Sequence, residues 1–248
     1  MIYKDLVESR KGNRKKLAIL IDPDKLRLHS IDGVIKNAID NDVDYFFIGG
    51  SLIVNDMLDQ VLEVLKKEAN IPLILFPGNS LQLSYKADAM LFLSLISGRN
   101  AELLIGHHVI SAPYLKLSPL EVISCGYMLI DGGVSTTVSY MSNTTPIPRD
   151  KIDVAVCTAL AGEMLGLKTM YLDAGSGAHY PVSKEMIESI AGTIDVPLIV
   201  GGGIKSPEKA FENVSAGADL IVVGNAAEKD PGLITEIAAA VHSKNVKV

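Results

Sequence analysis

Three sets of residues in this 248-residue chain have the type and spacing to do chemistry. The first is a pair of carboxylates, Asp22 and Asp24, directly after the apolar run 17–21. Hard oxygen ligands of this kind suit Mg2+. Ser51, which follows Gly49-Gly50 after the apolar run 45–48, would lie one strand away from Asp22, so both could share one ion. The second set is Asp173-Ala-Gly-Ser-Gly177, closing the run 169–172. Such a turn can offer consecutive backbone N–H groups and the Ser176 hydroxyl to a phosphate, with the Asp173 carboxylate placed for proton transfer. The third is a pair of glycine-ended runs, one reaching Gly201-Gly202-Gly203 and the other Gly224-Asn225. Glycine there lets a backbone approach an anion closely. The plain alternatives are tight turns for the glycines, packing for the Gly49-Gly50 pair and a helix-capping Asp-Pro turn for Asp22-Pro23. Two glycine-terminated runs in tandem, about twenty residues apart, favour the ligand.

The elements that must position these residues read as alternating strands and helices. Short apolar, β-branched runs of the kind buried on both faces fall at 17–21, 45–48, 72–76, 89–93, within 120–130, and at 169–172, 197–200 and 218–223. Amphipathic patterns separate them at 30–41, 55–68, 101–112, 151–165, 207–217 and 231–242. Ser206-Pro207-Glu208 supplies an N-cap, a proline at the first helical position and an acidic first turn. This order predicts an α/β fold, a single-domain (β/α)8 barrel spanning 1–248, with the opening helix 2–10 across its bottom. The carboxylates and glycine turns then share the C-terminal face, where such barrels do their chemistry. Between the third and fourth strands, 80–86 is too short for a crossover helix, so the third helix is expected to be reduced to a loop. The slot this opens is expected near Leu91, Leu93, Leu95 and Ile96 and could admit a long apolar ligand, although core packing also explains those residues. The polar stretch 131–150 reads as a lid or binding loop. His107-His108, adjacent and so facing different ways, read as surface or packing residues.

Composition narrows the classes. With 48% hydrophobic residues a large core can be buried, and a net charge of −6 without a basic run argues against an extended nucleic-acid surface. Cys125 and Cys157 fit no metal or redox spacing, which predicts reduced, packed thiols in the cytoplasm. No signal peptide and no run of about eighteen apolar residues is present, so a soluble protein is expected.

Leu20-Ile-Asp-Pro-Asp-Lys25, Gly49-Gly-Ser51, Gly126-Tyr-Met-Leu-Ile130, Tyr140-Met-Ser-Asn-Thr-Thr-Pro-Ile-Pro-Arg-Asp-Lys151, Tyr171-Leu-Asp-Ala-Gly-Ser-Gly177, Gly201-Gly-Gly203 and Gly224-Asn225 together resemble the geranylgeranylglyceryl phosphate synthase family. The segment 140–151 is the most specific of these. The resemblance implies prenyl transfer from a prenyl diphosphate to the 3-hydroxyl of sn-glycerol 1-phosphate. It implies Mg2+ on Asp22 and Ser51, acceptor binding by Tyr171, Leu172, Asp173, Ala174, Gly175, Ser176, Gly177, Gly201, Gly202, Gly203, Gly224 and Asn225, and Asp173 as the base. It also implies a geranylgeranyl tail and a homo-oligomer, dimer or hexamer. The chain departs from the family at Leu20, where one branch has a phosphate-binding lysine, and at Asp173, where glutamate is usual. Two rival readings stand beside this one. Another phosphate-binding barrel enzyme, an isomerase or lyase, would need a further acid, base or Schiff-base lysine on the top face, where only Lys25 offers itself. A non-catalytic phosphometabolite sensor would have no need of Asp22, Ser51 or an apolar slot.

Overall fold

The computed structural model describes residues 1–24, 31–55 and 57–245. Eight strands, β1 (Lys16–Ile21), β2 (Tyr45–Ile48), β3 (Leu73–Leu75), β4 (Ala89–Leu95), β5 (Glu121–Leu129), β6 (Thr169–Asp173), β7 (Leu198–Gly201) and β8 (Leu220–Val223), pair in parallel in chain order. β8 closes on β1, with Leu17 beside Ile221 and Ile19 beside Val223. This is the expected (β/α)8 barrel. Alternation along each strand divides the core in two: Ala18, Phe47, Ile74, Leu91, Cys125, Tyr171, Ile199 and Leu220 fill the interior, while Ile19, Phe46, Leu172 and Val200 meet the helical ring.

The ring holds α2 (Ile31–Asp40), α3 (Leu58–Glu68), α4 (His107–Leu117), α6 (Ile152–Met164), α7 (Lys184–Ala191), α8 (Pro207–Ser215) and α10 (Leu233–His242), while α1 (Ile2–Lys11), α5 (Thr137–Ser142) and α9 (Asn225–Lys229) are additions to it. α1 plugs the bottom. Its Ile2 and Leu6 join the interior cluster, the backbone N–H groups of Ile2 and Tyr3 donate to the Glu121 carboxylate at the start of β5, and Arg10 pairs with Asp219 at 2.7 Å. Among the described residues this closes the bottom and leaves the top open.

Residues 76–88 cross from β3 to β4 without a helix, so the expected gap in the ring is present. Other boundaries differ from expectation. The expected helix 30–41 is α2, with Ser30 outside the described residues, as is Lys25. The helix expected from 55 begins at Leu58. α4 does not stop at 112 but continues through Pro113 to Leu117, after a five-residue π-helical turn, Glu102–Gly106. Pro113 removes one donor, and the carbonyl it would have served in a regular helix is that of Val109, an exposed residue that water can reach. The polar stretch 131–150 is no simple loop, because α5 sits inside it: the Thr136 and Ser139 side chains cap one another's backbone N–H groups, and Asn143 ends the helix in the left-handed conformation at φ 50°. α7 and α9 are not among the helices expected from sequence.

Candidate active site

The top of the barrel holds a polar pocket of about 830 Å³. Asp22, Ser51, Tyr171, Asp173, Ser176, Gly177, Gly202, Gly203, Gly224 and Asn225 all line it, so most of the residues singled out from sequence converge. Three strand ends are tied together there. The Asn225 amide donates to Ser176 Oγ at 2.7 Å, joining the turns after β6 and β8, and the Ala174 N–H reaches the Gly201 carbonyl at 3.3 Å, joining those after β6 and β7. Gly202 sits at φ +79°, and a Cβ added there would fall 2.6 Å from the backbone nitrogens of both Ala174 and Gly175. Only glycine allows two turns to pack this closely. Leu172, Ala174, Gly175 and Gly201, also expected at the acceptor, do not line the pocket: Leu172 and Ala174 pack in the outer layer, the Gly175 N–H is spent on Asp173 Oδ1, and a Cβ on Gly201 would strike the Tyr171 hydroxyl.

Asp173 is buried, and both of its oxygens are engaged: Oδ1 accepts from the Gly175 N–H at 2.7 Å and Oδ2 from the Tyr127 hydroxyl at 2.5 Å. Burial pushes its carboxyl above the ordinary range, and the two hydrogen bonds only partly offset that effect. A carboxylate with a raised pKa in a pocket is suited to accept a proton. Tyr127 had no assigned role in the sequence reading, although inward alternation from Cys125 and its register beside Tyr171 place it at the mouth.

Across the pocket, the Asp22 carboxylate lies against Gly50, whose added Cβ would be 3.2 Å from Oδ2, next in sequence to Ser51. Asp22 Oδ1 accepts the Asp24 N–H at 3.1 Å, and the Asp22 N–H donates to Glu228 at 3.0 Å. Asp24 is differently employed, because its carboxylate accepts the N–H groups of Val54 and Asn55 (2.9 Å for Asn55), holding the segment after β2. Among the described residues no three acidic, histidine or cysteine side chains come together as a metal cluster. Two hard oxygens bordering a pocket still fit Mg2+, which keeps several waters and takes substrate phosphate oxygens as further ligands. Lys205, Lys229 and His179 also line the pocket and were not anticipated.

A second cavity, about 220 Å³, runs beside the first into the gap left by the missing helix. Leu93 and Leu95 line it as expected. Leu91 and Ile96 do not: Leu91 is fully buried in the barrel interior and Ile96 packs in the outer layer. Where no helix covers β4, its outward residues Met90 and Phe92 form the wall instead, opposite Leu103, His107, His108 and Ser111. His108 is indeed a packing residue. Its ring meets Phe92 edge-on at 4.3 Å, Nε2 lies 3.2 Å from Ser94 Oγ, and burial lowers its pKa, so the slot carries no histidine charge at that point at neutral pH.

A closed barrel with glycine turns converging on a polar pocket, a buried carboxylate and an adjoining apolar slot defines a phosphate-binding barrel able to take an amphipathic second ligand. Comparison with known proteins narrows this class. The PcrB family model matches residues 10–241. The chain is 54% identical over 242 residues to a geranylgeranylglyceryl phosphate synthase of Chitinophaga pinensis (98% of this chain, 96% of the relative) and 53% identical over 237 residues to that of Spirosoma linguale (96% and 95%). The crystal structure of (S)-3-O-geranylgeranylglyceryl phosphate synthase from Thermoplasma acidophilum in complex with sn-glycerol-1-phosphate superposes with a TM-score of 0.92 at 32% identity, covering 98% of this chain and 99% of that one. The chain belongs to the PcrB family, together with these geranylgeranylglyceryl phosphate synthases.

Proposed function

We propose that the protein transfers a geranylgeranyl group from its diphosphate to the 3-hydroxyl of sn-glycerol 1-phosphate. The observation that carries this is the pairing of a polar pocket with an apolar slot that share a mouth, since few substrate pairs need both. The turns 173–177, 201–203 and 224–225 would hold the acceptor phosphate with backbone N–H groups, leaving its hydroxyl near Asp173. Asp22 and Ser51 would hold Mg2+ with the donor diphosphate; the ion supplies charge neutralisation that makes the diphosphate a better leaving group. Asp173 takes the proton of the attacking hydroxyl, and its orientation by Tyr127 and Gly175 supplies positioning rather than acidity. Lys205 and Lys229 stand on the pocket wall as cations that could serve the phosphate in the absence of a lysine at Leu20.

This division of labour predicts that Asp22→Asn abolishes transfer while calorimetry still registers acceptor affinity within about threefold of the wild type. Loss of acceptor binding would move Asp22 into the acceptor site instead.

The reading extends to assembly and location. α6 is mostly apolar, with Asp153, Thr158 and Glu163 its polar residues, and an outer stripe of Val154, Cys157, Ala161 and Met164, with Leu165 just past its end, is exposed. A helix of that kind is normally covered, which favours a homo-oligomer built through this face. Two free thiols are consistent with a cytoplasmic setting, although only Cys125 is packed as expected and Cys157 is exposed on α6. No helix among the described residues is long and apolar enough to cross a membrane.

A further inference from the structure

The polar pocket and the apolar slot are lined by separate residues except for five that belong to both, Gly50, Ser51, Phe76, Tyr127 and Val138. A prenyl diphosphate divides in the same way, into a charged head and an apolar tail joined at C1. A donor whose head lies in the pocket and whose tail lies in the slot therefore has C1 at this junction. C1 is also the atom that becomes electron-poor when the bond to the diphosphate breaks. Of the five shared residues, only Phe76 and Tyr127 carry π systems. Their rings lie 6.0 Å apart, edge to face, and both touch Tyr171, at 5.1 and 5.5 Å between centroids. Phe47, one layer down, is fully buried and completes the interior packing, whereas Phe76 is only half-buried and opens on both cavities. Phe76 stacks on Tyr171 and on Phe47, at 5.1 and 6.1 Å between centroids, so its ring caps the interior packing and at the same time borders both cavities.

We propose that Phe76 and Tyr127 are catalytic residues whose rings flank C1 of the donor and stabilise its allylic cation. The C1–O bond breaks with its electron pair leaving on the diphosphate oxygen. A lone pair of the acceptor hydroxyl then forms the new C1–O bond, and the hydroxyl proton passes to the Asp173 carboxylate. The negative π faces attract the positive charge that exists only between these events, so they favour the transition state over the bound substrates. Tyr127 adds a second link, because its hydroxyl bonds the carboxylate that takes the proton.

The inference rests on the prenyl-transfer reading, and its test separates the two. Phe76 is replaced by mono-, di- and trifluorophenylalanine, which keep the shape of the ring while draining its π face, and single-turnover transfer from geranylgeranyl diphosphate to sn-glycerol 1-phosphate is followed. The logarithm of the rate should fall in proportion to the number of fluorines, by about 10- to 30-fold in all, with both substrate affinities held within about twofold. Tyr127→Phe keeps the ring and removes the hydroxyl, so it should retain the Phe76 fluorine dependence while moving the acid limb of the pH profile upward, since Asp173 loses a hydrogen bond that lowers its pKa. Rates that ignore fluorine number while the wild type makes product would overturn the aromatic role and leave the prenyl-transfer reading intact. A wild type that makes no product would remove the reading on which the role rests.

Discussion

Asp173 carries opposed demands. As the proposed base its carboxylate would have to be ionised to accept a proton, yet burial disfavours the ion and raises its pKa. The acid limb of kcat should therefore lie above the ordinary carboxylate range, with activity rising as pH climbs through it. Stability runs the other way. A carboxyl whose folded pKa is raised stabilises the fold below its unfolded pKa, near 3.8, and loses that contribution as pH rises through the folded value. Asp173→Asn is thus expected to cost on the order of 10²- to 10⁴-fold in single-turnover rate and to raise the melting temperature at pH 7, a trade common at active sites. If the residue only orients the acceptor, the asparagine amide oxygen can still accept the hydrogen bond, and the rate should drop by about tenfold, or ~1.4 kcal/mol. Near wild-type chemistry would take Asp173 off the reaction path. Residue types were legible in the sequence here: Asp22, Ser51, Asp173 and Ser176 all reach one pocket. Partners were not, because the Tyr127 hydroxyl meets Asp173 across 46 residues of sequence and only strand register brings them together.

Among elements, the turns after β6, β7 and β8 act as one unit, because Gly202 lets the second turn lie on the amides of the first. Gly202→Val should raise the acceptor KM at least tenfold more than the donor KM, measured by varying each substrate at saturation of the other. Equal effects on both would mean that these turns do not hold the acceptor. Strands and their glycine ends were readable because a run buried on both faces has little other explanation. The missing third helix was readable for a simpler reason, namely that 80–86 is too short to cross the barrel. The slot wall was half anticipated: Leu93 and Leu95 line it, whereas Leu91, lower on the same inward face of β4, is sealed in the interior, and Met90 and Phe92 on the uncovered outer face complete the wall. α5 escaped notice because its cap uses serine at the third position, in place of the glutamate or glutamine that marks a capping box in sequence.

For the whole molecule, the bottom of the barrel is devoted to stability and the top to ligands. Asp44, joined to Lys16 at 3.0 Å and His242 at 3.2 Å, has its pKa lowered by these partners against the opposing effect of burial. Its contribution to stability is present above its unfolded pKa and disappears only as pH falls through the lower folded value. The side of the molecule is a different matter. Exposed Ile105, Val109, Ile110, Tyr114 and Leu117 on and before α4 and the stripe on α6 leave more apolar surface than a lone barrel needs. Ala161→Glu places a charge in the α6 stripe, and light scattering should then give a lower mass than for the wild type while the circular dichroism of the barrel is retained. An unchanged mass would exclude that face as an interface.

In the proposed reaction the top face joins two substrates, one held by phosphate-binding turns and one lying in the slot. The decisive experiment incubates the wild-type protein with radiolabelled sn-glycerol 1-phosphate, Mg2+ and prenyl diphosphates of ten, fifteen and twenty carbons. Label should appear in the organic phase, most of all with the twenty-carbon donor, and be absent when the ion is chelated. Label that stays in water with every donor while the protein still binds glycerol 1-phosphate would contradict the proposed reaction, and would favour a phosphate-binding barrel that does no prenyl transfer.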